Sequence, residues 1–232
     1  MTLTTKGWFA PSLFFFLVLI STSVLMAENN HDAMSATYDS EISKENNAQF
    51  FASIKNRKIN KLRVNSSGGE VDAAITLALW IHKNKINIEV LEYCLSSCAN
   101  YLFLAANHKH ILPGAVVAWH GNYHHLKETG LWKDDIVIRM KRTRESRVQA
   151  KARVLQQVNY LVQREQEFFK KIGIDEKICW VGKVSPYNAI NYYFLSVADM
   201  HRFGVENITA SMDYDKTSVN AFNEHIEYLK LK

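Results

Sequence analysis

The chain has 232 residues and a formal net charge of +5, a length sufficient for one domain with a sizeable core plus an appendage. The charge is not spread evenly: residues 133–171 hold eleven Lys/Arg against five Asp/Glu. That basic stretch has no interleaved aromatics and no nucleic-acid reading motif, which argues against a nucleic-acid partner and leaves a solvated helix face, an anionic lipid surface or an acidic partner.

The N-terminus carries Lys6, an apolar run from Leu13 to Ile20, then Ser21-Thr22-Ser23-Val24-Leu25-Met26-Ala27. This is the order of a secretory signal peptide over residues 1–27. Kept in place, Trp8–Ala27 is about 20 residues, enough to anchor the chain in a bilayer. Export, for instance to the periplasm, is expected on either reading, with membrane association through the N-terminus on the second. Residues 28–50 are polar without periodicity and read as a linker.

The segment Lys61–Asn65 reads as a strand ending in Ser66-Ser67-Gly68-Gly69, and Glu70–Lys83 has apolar residues at helical spacing. Ile86–Leu91 is a second strand, and Ser96-Ser97 opens an apolar helix over Cys98–Ala106. Short strands follow at His110–Leu112 and Val116–Trp119. Strands alternating with helices predict an α/β core with mostly parallel pairing.

Residues 134–171 contain neither Gly nor Pro, and Val148, Leu155, Val162 and Phe169 recur every seven residues. A continuous helix there is about 57 Å long and should project as an arm for self-association or lie over the core as a cover. Ser196 and Asp199 form the start of a short helix, and Val205–Ile208 returns as a strand. The core domain is bounded at 51–210, with a C-terminal tail helix over 211–232.

Three signatures lie between Leu62 and Gly121: Val64-Asn65-Ser66-Ser67-Gly68-Gly69, Cys94-Leu95-Ser96-Ser97-Cys98-Ala99 and Leu112-Pro113-Gly114 running to Trp119-His120-Gly121. Together they offer a backbone cradle for an oxyanion, a hydroxyl nucleophile and a general base, the parts of an acyl-transfer hydrolase. Ser96 and Ser97 are equally well read as plain helix caps. Cys94 and Cys98 form either a disulfide clamping the serine turn or two small buried thiols. His120, His124 and His125 lack a carboxylate or Cys at ligand spacing, so no metal and no cofactor is expected.

These segments resemble the proteolytic subunit of the Clp proteases, in the exported, Clp-like branch of the ClpP/crotonase superfamily, over about residues 60–208. Asn65–Gly69 is similar to that family's Gly turn, Leu95–Ala99 to its nucleophile turn, and Leu112-Pro113 with His120 to its histidine segment. The long helix, Phe194-Leu195-Ser196 and Arg202-Phe203-Gly204-Val205 resemble its handle and closing elements. The resemblance implies a spiral of ββα units with a projecting helix, a homo-oligomer and a serine peptidase on peptides or unfolded proteins. It implies Ser97 as nucleophile, with Ser96 as runner-up. His120 is the implied base, and the N–H groups of Gly68 and Cys98 the oxyanion hole. Where the family has its triad Asp, this chain has Tyr192, leaving Asn191 or Asp199 to orient His120. Lys133 or Lys141 is the alternative base in a Ser–Lys pair. The rivals to a hydrolase are a catalytically silent peptide-binding scaffold and, against the exported setting, acyl-CoA chemistry.

Overall fold

The computed structural model describes residues 1–2, 34–216, 219–221 and 224–232. The signal or anchor expected over 1–27 lies outside the described residues, apart from Met1 and Thr2. The chain folds as an α/β structure built on one parallel sheet. Its strands are β1 (Ser35–Asp39), β2 (Lys61–Ser66), β3 (Asn87–Leu95), β4 (Lys109–Ile111), β5 (Val116–Ala118) and, after β6 (Tyr192–Leu195) of a second sheet, β7 (Ile208–Thr209). The order is β1-β2-β3-β4-β7, with β5 pairing the upper half of β3. The parallel α/β expectation holds.

β2 and β3 are the central strands, and Leu62, Val64, Ile88 and Val90 are essentially inaccessible to water. Burial on both faces explains why these strands read as apolar runs, each such side chain contributing roughly 1.5–3 kcal/mol. The register slips between Val64 and Ser66, so Ser66 faces Cys94 near the end of β3. β3 and β5 run side by side to the pair Leu95–Ala118, and the Ser96 N–H continues onto the Ala118 carbonyl at 3.1 Å. Ser96 and His120 therefore leave the sheet together, at the carboxyl ends of neighbouring parallel strands, where such sheets build their clefts.

Three segments depart from the sequence expectation, two of them at the ends of the core. The polar stretch 28–50 is not simply a linker. It holds the edge strand β1, in register with β2, and most of helix α1 (Lys44–Ser53), which Ser43 caps through Asn46 N–H. Tyr38 and Phe50 bury their rings against each other. The C-terminal tail is not a helix either: β8 (Val219–Ala221) and β9 (Glu224–Leu229) pair antiparallel, and β9 adds in parallel to β6 (Tyr192–Leu195).

Helix α2 (Val71–Lys83) follows the Gly turn and buries Ala74, Ile75, Ala78 and Ile81 as its spacing predicts. The basic stretch forms two helices rather than one, α4 (Lys133–Thr143) and α5 (Arg147–Ile172), after a short α3 (Tyr123–Thr129). Arg144 turns left-handed at φ 58°, and Ser146 with Gln149 closes a capping box that restarts the chain as α5. α4 packs on α5 through Ile136, Ala150, Val154 and Val158. The buried residues of α5 are Ala150, Val154, Val158, Leu161, Val162, Glu165, Phe168 and Phe169, so the heptad beginning at Val148 is buried only from Val162 onward; Val148 itself is 79% exposed. The C-terminal half of α5 lies on the core, where Phe168 meets Tyr101 edge-on and Arg164 pairs with Asp72 of α2 at 2.9 Å.

Candidate active site

The Gly turn after β2 is where two backbones come closest. Gly68 and Gly69 have φ of 94° and 142°. A Cβ on Gly68 would sit 2.7 Å from Ser96 Cβ and 2.8 Å from Ser97 N. Only glycine permits that approach, so the Gly turn and the serine turn form one surface.

The serine turn itself is clamped. Cys94, in the final residues of β3, and Cys98, the first residue of the helix Cys98–Phe103, are joined by a disulfide. Closing so small a ring contributes about 2 kcal/mol in the chain-entropy account. Within the ring Ser96 adopts φ 53°, a left-handed conformation uncommon for a non-glycine residue and typical of functional turns.

The two serines meet different partners. Ser96 Oγ lies 2.7 Å from His120 Nε2. Ser97 is buried, and its hydroxyl donates to the Gly69 carbonyl at 2.9 Å. The pairing expected of Ser97 is thus made by Ser96, while Ser97 ties the helix start to the Gly turn. The donor following the paired serine is consequently the Ser97 N–H and not that of Cys98. It lies at a helix start, where N–H groups have no intrahelical partner. The Gly68 N–H makes only a long bond, 3.3 Å, to Ser66 Oγ.

His120 is poised as an acceptor. Nearby desolvating protein and then the Lys183 ammonium push its pKa down, to about 4. The ring is open to solvent on one side, and water screens part of that push. The sign is unaffected: the free base exists above the folded-state pKa and is lost as pH falls through it. His120 is therefore expected to take up its proton only below pH 6.5, the ordinary histidine value, and an NMR titration of its ring with a midpoint at 6.5 or above would contradict this setting.

Asn100, which sequence reasoning missed, joins the two halves of the site. Its N–H donates to the Ser96 carbonyl at 2.8 Å and its Nδ2 to the Gly121 carbonyl at 2.9 Å, from a side chain that is 2% exposed. Its position four residues after Ser96 on an apolar helix was the available signal. Glu165 of α5 braces the same region from behind. It accepts from Tyr101 Oη at 2.5 Å, Tyr123 N at 3.0 Å and His124 N at 2.9 Å, and burial raises its pKa to about 7.

The groups expected to orient His120 do not reach it. Asp199, in the first turn of α6 (Val197–His201), whose N-cap is Ser196, accepts from Ser196 Oγ and Arg202 Nη1, and the Asn191 carbonyl accepts from Lys183. The alternative bases are elsewhere: Lys133 sits beside Gly130, and Lys141 is exposed on α4. His124 pairs with Glu176 at 2.6 Å, and His125 stacks on Trp180.

No protein-family model matches the chain, and no curated protein matches it. Among solved structures it is similar to ClpP1 from Listeria monocytogenes, with a TM-score of 0.40 and 17% identity over 81% of this chain and 98% of that one. A point mutant of the same Listeria ClpP1 gives a TM-score of 0.40 and 16% identity over the same shares.

Proposed function

We propose that the protein is an exported serine hydrolase acting on peptides or unfolded proteins, with Ser96 as nucleophile and His120 as general base. The observation that carries this reading is the 2.7 Å contact between Ser96 Oγ and His120 Nε2, made from a left-handed serine at the end of a parallel strand. Ser96 Oγ attacks the substrate carbonyl and its proton passes to His120 Nε2. The oxyanion forms against the N–H groups of Ser97 and Gly68. His120 returns the proton to the leaving amine, and a water then hydrolyses the acyl-enzyme.

Export is supported by the leader-like N-terminus and by the Cys94–Cys98 disulfide, a bond that persists in oxidising compartments. Among the described residues no helix is long and apolar enough to cross a membrane, so an anchored form would depend on the N-terminal segment. Self-association is supported by Leu131, Val137, Ile138 and Val148, apolar side chains left open on and around the helical hairpin. The scaffold reading keeps one observation in its favour: the charged group acting on His120 is the Lys183 cation and not a carboxylate.

The test is a fluorophosphonate probe followed by peptide mapping. Covalent label on Ser96 is expected. An unlabelled protein, or label on Ser97, would refute the assignment.

A further inference from the structure

Among the described residues no carboxylate touches the His120 imidazole; an aromatic ring does. The Tyr192 ring centroid lies 4.5 Å from that of His120, with 35° between the planes. The backbone fixes this contact. Trp119 and Tyr193 exchange both main-chain hydrogen bonds, at 2.8 and 2.9 Å, as an antiparallel bridge. The residues that follow this isolated bridge on its two sides are His120 and Tyr192. Beyond a doubly hydrogen-bonded antiparallel bridge the next facing position is the non-hydrogen-bonded kind, in which side chains approach most closely. The approach to Tyr192 is held as well: Lys183 Nζ donates to the carbonyls of Ala189 and Ile190 at 2.7 Å and of Asn191 at 3.2 Å. Three carbonyl oxygens thus surround the Lys183 cation that acts on His120.

We propose that the Tyr192 ring orients His120 and stabilises the imidazolium that forms when it takes the Ser96 proton. This is the part a carboxylate plays in a three-membered site, and the proposal rests on the reading of Ser96 as nucleophile. One proton leaves Ser96 Oγ and joins His120 Nε2, the imidazole becomes a cation, and the Ser96 oxygen forms its bond to the substrate carbonyl carbon. The face of an aromatic ring is electron-rich and attracts a cation held within about 6 Å of its centre. The close, tilted contact also restrains rotation of the imidazole, keeping Nε2 on Ser96. The attraction exists only once the proton has moved, so it favours the charged transition state over the neutral ground state.

The experiment replaces Tyr192 by Leu, by Phe, and by phenylalanines carrying one, two and three ring fluorines. Fluorine drains the ring face with little change of shape. The readouts are the rate of fluorophosphonate labelling and the imidazole titration of His120 by NMR. Tyr192→Phe is expected to stay within about twofold of wild type, Tyr192→Leu to lose roughly tenfold, and the fluorinated series to descend stepwise between them. The His120 pKa should fall along the same series. Equal labelling and equal titration across the fluorinated series, or a Phe variant as slow as Leu, would overturn the proposal. A His120 pKa that rises in Tyr192→Leu would do so too, since it would mean that Tyr192 only shields the ring from water. A wild type that does not label refutes the hydrolase reading separately, because the titration series still reports on the ring.

Discussion

Ser96→Ala is expected to lower turnover of an activated ester by about 10²- to 10³-fold, with Ser97→Ala remaining active. The size follows from what the site lacks. In a complete triad, loss of the serine costs on the order of 10⁶ and loss of the carboxylate alone about 10⁴. A dyad without the carboxylate has only the remainder to lose, the oxyanion donors still polarising the carbonyl. Ser97→Ala removes the hydroxyl that donates to the Gly69 carbonyl and leaves its own backbone N–H in place. It should cost about 1 kcal/mol of stability, the ordinary net worth of one such bond, and only a few-fold in rate. Side-by-side kinetics with thermal melts would decide the matter. Inactivity in Ser97→Ala with activity in Ser96→Ala would reverse the two roles.

The largest stability effect is expected at Glu165. Glu165→Ala leaves the Tyr101 hydroxyl and the Tyr123 and His124 N–H groups without their shared acceptor in a fully buried position. Each orphaned donor costs about 1–3 kcal/mol and the three are not additive, so a total of about 3–5 kcal/mol is expected. For a chain of this size that lowers the melting temperature by on the order of 10 °C. Glu165→Gln keeps an acceptor oxygen and should lose less. The pH dependence has a defined sign. Burial lifts the carboxyl from 4.5 to about 7, so between those values the folded protein binds more proton than the unfolded chain. Stability from this group therefore falls as pH rises through that window, by at most about 3 kcal/mol. Melts at pH 5 and pH 8 should show the loss in wild type and a flatter response in Glu165→Gln. A Glu165→Ala protein within about 1 kcal/mol of wild type would show that the three donors find other partners.

The central strands and α2 were legible because their burial is written in apolar content. The Ser196–Asp199 cap was legible because its two polar ends stand at the required spacing, and the structure shows Ser196 Oγ receiving the Asp199 N–H at 3.0 Å. The choice between Ser96 and Ser97 was not. Two identical side chains differ there only in the backbone angle beneath them, which the disulfide and the Gly turn impose from outside the pair. β1 was hidden because an edge strand needs apolar residues on one face alone, and Ala36 and Tyr38 supply only two. The break between α4 and α5 uses neither Gly nor Pro. Its one sequence mark is the Ser146–Gln149 capping box, which helical periodicity runs straight across. The C-terminal strands depend on β6, a partner some thirty residues away, and local pattern does not report that pairing.

The bridge between Cys94 and Cys98 has a consequence for how the site is lost. It joins the end of a central strand to the first residue of a buried helix and encloses Ser96 between them. Many clefts fray before their scaffolds do, because their loops open at little cost. Here the Ser96 turn cannot open without pulling on β3, whose neighbours β2, β4 and β5 hold it on both sides. Local breathing and global unfolding are thereby merged at this point of the chain. Under heat or denaturant the Ser96–His120 contact should persist until the sheet itself gives way.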